Sequence, residues 1–82
     1  MNNKYFVFLV PNRNPFYIRF YGSHKMIIEH DKQKIQIINS RGWNITKAVI
    51  FSEISHYFDL PYIKHYDKKC MIMEIDPNDY KE

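Results

Sequence analysis

The chain has 82 residues, 45% of them apolar and 17% aromatic, and its twelve Lys and Arg outnumber nine Asp and Glu for a formal net charge of +3. A chain this short buries only roughly 60% of the surface its unfolded form exposes, which allows one core and excludes a second. A single cysteine, Cys70, excludes an intramolecular disulfide, which suits a reducing cytosol; the longest early apolar run, Tyr5 to Val10, stops at Pro11, too short for a signal-peptide core or a membrane span.

In chain order, "KYFVFLV" (4–10) predicts a first strand, since aromatic and β-branched residues suit a pleated surface. It is apolar on both faces, which fits a central strand or one covered by a partner. "PNRNP" (11–15) reads as a loop between two prolines that have no backbone N–H. "FYIRFYG" (16–22) is the second strand, antiparallel to the first because the connection is short. Side chains alternate along a strand, so Phe16, Ile18 and Phe20 face the core while Tyr17, Arg19 and Tyr21 face away from it.

Residues 24–39 read as a second hairpin, with Met26, Ile28, Ile35 and Ile37 inward and "DKQK" as a turn that lacks the Asn-Gly or Asp-Gly signature. "NSRGWN" (39–44) breaks the pattern, with Asn44 as the expected helix N-cap. From Ile45 the spacing of Ala48, Phe51, Ile54, Tyr57 and Phe58 predicts one apolar helix face. "DLP" (59–61) ends the helix, "YIKHYDKK" (62–69) reads as a loop or a short helical turn, and "CMIMEI" (70–75) as the last strand. The expectation is one α+β domain over residues 1–76: a small antiparallel sheet of about five strands with one helix packed on one face, in ββββαβ order. Residues 77–82 are expected to form a short polar tail that frays.

Charge is uneven. Residues 1–47 carry a net +6, residues 48–69 balance, and residues 70–82 carry a net −3. The electropositive half favours polyanions or acidic protein surfaces. Four histidines, His24, His30, His56 and His65, are the side chains whose ordinary pKa lies near neutrality, and a pair such as His56 and His65 is the one route to an acid/base ribonuclease. No nucleophile motif, paired-carboxylate signature or Gly-rich phosphate loop accompanies them, so an enzyme is not expected. His24/His30 and His56/His65 are six and nine apart, outside the short two-ligand spacings of metal sites, so neither a metal nor any other cofactor is expected.

The candidate nucleic-acid or partner-binding residues are Tyr17, Arg19 and Tyr21 on the second strand, with Lys4, Lys25 and Lys34 beside them. Arg13, Lys32, Arg41 and Trp43 join them from the loops and turns. Aromatic rings offer bases a stacking face and interleaved cations neutralise phosphate, yet the basic-Gly-aromatic order of the RNP motif is missing from "FYIRFYG". Tyr, Trp, Met and Arg are also the residues enriched at protein interfaces, and cross-strand tyrosines commonly do no more than stabilise a wet sheet face. Phe, Tyr, Met, Ile, Asn and Lys, all encoded by A/T-rich codons, make up 45 of the 82 residues, a bias that suits a low-GC bacterium, its plasmid or a phage.

The resulting expectation is a non-enzymatic, phage-encoded, cytoplasmic binding protein that neutralises a host nuclease, toxin or defence factor by stoichiometric contact, with RNA as a further partner, a homodimer as a further assembly and no membrane partner. The alternative is a direct, low-specificity RNA or single-stranded DNA binder. A small histidine-dependent ribonuclease or toxin comes third.

Overall fold

The computed structural model describes residues 3–58, 60 and 69–80. Five strands, β1 (Asn3–Leu9), β2 (Phe16–Tyr21), β3 (Lys25–His30), β4 (Gln33–Ile38) and β5 (Met71–Glu74), and one helix, α1 (Lys47–Tyr57), follow in the order ββββαβ. The strands form one antiparallel sheet with spatial order β4-β3-β2-β1-β5. The first four strands are successive hairpins, and β5 returns after α1 to pair with β1. That return makes β1 an interior strand, which is why it is apolar on both faces.

Register follows from the alternation of apolar residues. Phe6, Phe8, Phe16, Ile18, Phe20, Met26, Ile28, Ile37 and Ile72 lie on one face of the sheet, and Ile50, Phe51, Ile54 and Phe58 from α1 and its C-terminus close over them. Phe8, Phe16, Ile18, Phe20, Met26, Ile28, Ile50 and Ile54 have no exposed surface, and each such side chain contributes about 1.5–3 kcal/mol of burial. Rings interlock edge-on in this layer, with Phe8 at 5.5 Å from Phe51 and Phe16 at 5.2 Å from Phe58.

The turns explain where sequence patterns misplace boundaries. The β3–β4 connection is only Asp31-Lys32, both with positive φ (52° and 68°), the two-residue hairpin geometry whose twist matches the strands. Gly42 sits at φ +83°, and a Cβ there would meet Ser23 Oγ at 3.2 Å and His24 Nε2 at 3.3 Å. The close approach is needed because residues 39–43 lie against the β2–β3 loop: Asn39 and Trp43 donate backbone N–H bonds to the carbonyls of His24 and Ser23.

The helix starts later than expected. Thr46, not Asn44, is the N-cap, accepting from the Val49 N–H at 3.2 Å. The buried face is Ile50, Phe51 and Ile54. Ala48, placed in that face by spacing, is exposed, since two residues turn the helix by about 200° away from Ile50. Tyr57 is 44% exposed, because Phe58 leaves the helix with extended backbone and enters the core in its place. The loop expected over 62–69 falls outside the described residues except Lys69.

Beyond β5 the described chain turns back toward the sheet through residue 80. Ile75 donates to the Tyr5 carbonyl at 2.8 Å, and Asp76 caps a three-residue 3-10 turn, Pro77–Asp79. The turn delivers the Tyr80 ring to the sheet face opposite α1, 5.1 Å from Tyr5 and 6.1 Å from Tyr17. Among the described residues no helix is long and apolar enough to cross a membrane.

Candidate functional site

The face of the sheet that α1 leaves uncovered is set by the same register that builds the core. Three rows cross it: Met73-Val7-Tyr17-Glu29-Lys34, then Tyr5-Arg19-Ile27-Gln36, then Asn3-Tyr21-Lys25-Ile38. Leu9 and Met71 begin a further row at the β1–β5 end. Tyr17, Arg19, Tyr21, Lys25 and Lys34 are thus brought together as expected from period-two alternation. Lys4 is not with them: it pairs with Phe20 and lies on the helix side, exposed at the strand end.

Arg19 organises the centre. Its guanidinium carbon lies 4.9 Å from the centre of the Tyr5 ring and 4.2 Å from that of Tyr21, and Lys25 Nζ lies 4.9 Å from the Tyr21 centre. Cations over ring faces are attracted by the negative π-cloud, by about 0.5–1 kcal/mol where water has access. Tyr80 extends the array at its other end through its edge-on contacts with Tyr5 and Tyr17. The result is a continuous ladder, Tyr80, Tyr5, Arg19, Tyr21, Lys25. Val7, on the same face opposite Tyr17 and two residues along β1 from Tyr5, is only 8% exposed.

The rim differs from the centre. Met71 and Met73 on β5 are 54% and 42% exposed, and Ile38 on β4 is 62% exposed. An apolar β5 rim and a mixed β4 rim of Lys34, Gln36 and Ile38 flank a half-buried, cationic, aromatic centre. Three cations, Arg19, Lys25 and Lys34, share this face with one acid, Glu29, whose Oε1 is buried without a hydrogen-bond partner among the described residues.

The remaining candidates lie elsewhere. Arg13 belongs to the β1–β2 loop, where Asn12, Arg13, Asn14, His30 and Asp31 line a shallow polar cleft of about 430 Å³. Asn14 Nδ2 donates to Asp31 Oδ1 across it at 3.2 Å. Lys32 is at the β3–β4 turn and Arg41 in the loop before α1. Trp43 is half-buried with its ring 6.0 Å from Phe20, plugging one end of the core.

The described histidines are dispersed. His24 and His30 bracket β3 at opposite ends, about 20 Å apart for six residues of strand. His30 stacks flat on Phe16 at 3.8 Å and 7°, His56 is exposed beside Tyr57, and His65 is outside the described residues. Among the described residues no group of three His, Cys, Asp or Glu side chains is placed to hold a metal ion.

Sequence reasoning missed Tyr5 and Tyr80 as members of the face. Tyr5 was legible in principle, since it shares strand parity with Val7 and Leu9. Tyr80 was not, because nothing in "DPNDY" shows where a 3-10 turn sends its last ring. Comparison of the chain with protein-family models, with curated proteins and with solved structures finds no match in any of the three.

Proposed function

We propose that the chain is a non-enzymatic binding protein that acts by stoichiometric contact with a protein partner through the open sheet face. The observation that carries this reading is the Arg19 guanidinium between the Tyr5 and Tyr21 rings, at 4.9 and 4.2 Å. A base needs a free ring face for stacking, and at least one face of the Tyr5 ring and one of the Tyr21 ring already hold a cation. Tyrosine edges and exposed methionines are among the side chains that protein interfaces favour. The bias toward A/T-rich codons supports a phage setting, with a host nuclease, toxin or defence factor as the target.

The second reading, direct binding of RNA or single-stranded DNA, keeps some support from three cations and one acid on the face. Capture from a low-GC bacterial lysate, with and without nuclease treatment, separates the two. The expected result is a stoichiometric protein partner that survives nuclease and is lost with Lys25→Glu/Lys34→Glu, whose side chains lie outside the core. Gel shifts of labelled RNA that weaken steeply with salt, together with capture that disappears after nuclease, would instead establish the nucleic-acid reading.

A further inference from the structure

The open face spans five strands about 4.8 Å apart and four to seven residues long, a width of about 19 Å and a length of about 13–23 Å. A peptide segment of about six extended residues matches these dimensions.

The chain supplies an example of such a segment. Residues 76–80, Asp-Pro-Asn-Asp-Tyr, carry two acids and one ring and leave the sheet edge at Ile75. The tail turns through Pro77–Asp79 and sets Tyr80 against Tyr5 and Tyr17, while its acids, Asp76 and Asp79, stay exposed. The face carries Arg19, Lys25 and Lys34 against the single acid Glu29, opposite in sign to Asp76 and Asp79 of the tail. Charge, size and ring contacts therefore agree.

We propose that Asp76–Tyr80 is a built-in pseudo-ligand: it occupies the site at which the open face takes up an acidic, aromatic-bearing peptide segment of its partner, and it competes with that segment. This inference rests on the reading of the open face as a protein-binding surface and names the chemistry of what it binds. Tyr80 is the anchor, because its ring meets Tyr5 and Tyr17 on the face and is half-buried there. Asp76 acts through the turn, accepting from the Asn78 N–H at 2.8 Å and so aiming the ring. A site covered by its own tail for nine-tenths of the time binds a free competitor tenfold more weakly than when uncovered.

The test uses the full chain and a labelled peptide of residues 74–80, Glu-Ile-Asp-Pro-Asn-Asp-Tyr, followed by fluorescence anisotropy. Tyr80→Ala is expected to bind the peptide about tenfold more tightly than the unaltered chain, and Tyr80→Phe, which keeps the ring, to match the unaltered chain. A peptide with Ala in place of its tyrosine should lose binding to Tyr80→Ala. Should Tyr80→Ala fail to fold by circular dichroism, Asp76→Ala poses the same question from outside the sheet face.

Equal affinity of the altered and unaltered chains, or no binding of the peptide to either at millimolar concentration, overturns the pseudo-ligand. The outcome is separable from lysate capture. A captured partner lost with Lys25→Glu/Lys34→Glu, alongside peptide binding indifferent to Tyr80, leaves the protein-binding reading standing and this inference refuted.

Discussion

The two sides of β2 are built from one hexapeptide and held by different physics. Phe16, Ile18 and Phe20 have no exposed surface and meet α1 and the neighbouring strands. Tyr17, Arg19 and Tyr21, interleaved with them, are half-buried and held by ring-edge and cation–π contacts. The inner side depends on volume and on exclusion of water, so a missing group leaves a cavity. The outer side depends on contacts worth about 1 kcal/mol or less each, in which water can replace a missing group. Stability is concentrated on one side of the strand, and the other is the side we propose as the binding surface.

The largest break in this comparison is expected on the inner side. Phe20→Ala removes a ring that touches Phe6 at 6.1 Å and Trp43 at 6.0 Å, and the cost is expected to be about 3–5 kcal/mol in chemical denaturation. A loss below about 1 kcal/mol would mean that the core collapses around the gap. Next comes a residue that crosses the division. Val7 faces outward yet is only 8% exposed, so Val7→Asp should cost roughly 2–4 kcal/mol by burying an unpaired charge. If Val7→Asp is tolerated within about 0.5 kcal/mol, as surface changes usually are, the centre of the outer face is open to water.

Smaller still is the paired change on the outer side of β2. Tyr17→Ala/Arg19→Ala removes the Tyr80 contact at one end and the cation of the ladder at the other. The expected cost is about 1–2 kcal/mol by thermal or urea unfolding, with the partner captured from lysate lost entirely. Retention of the partner by a folded double variant would move the site off this face. Unfolding of the variant at room temperature would place "FYIRFY" in the core on both sides.

How far the sequence carried this description depends on the range of the forces involved. Alternation in "FYIRFY" and in "KMIIEH" specified which side chains face α1, because a one-residue slip would turn every apolar group outward. The order ββββαβ was legible for the same reason, together with the short connections. The N-cap was misplaced because Asn44 and Thr46 are both competent caps, and only the backbone path from Trp43 to Lys47 decides between them. Tyr57 was misplaced because Phe58 unwinds into the core, a choice made by the space beside Phe16 and not by helical periodicity. At the candidate site, the Tyr-Arg-Tyr row was legible and Tyr5 could have been added from strand parity, whereas its completion by Tyr80 was not. The Tyr80 contacts join residues 63 and 75 positions apart in sequence, and no local pattern reports on contacts of that range.

The smallest expected effect concerns His30, a polar ring on the inner side, and it sharpens what "inner" means. His30 shares the parity of Met26 and Ile28 on β3 and stacks on Phe16 at 3.8 Å and 7°, with Phe58 edge-on at 5.5 Å. Its Nε2 is buried without a hydrogen-bond partner among the described residues. A buried polar atom without a partner costs its desolvation, about 1–3 kcal/mol, whereas an apolar group of similar shape avoids that cost. Phenylalanine keeps the flat stack and the edge contact but is slightly larger, so a modest overpacking cost offsets part of the gain. His30→Phe is therefore expected to change stability by no more than about 1 kcal/mol, in the stabilising direction, when urea midpoints are compared at equal m-values. A loss of more than about 1 kcal/mol would mean that the nitrogen is satisfied in solution and that volume alone does not govern this end of the core.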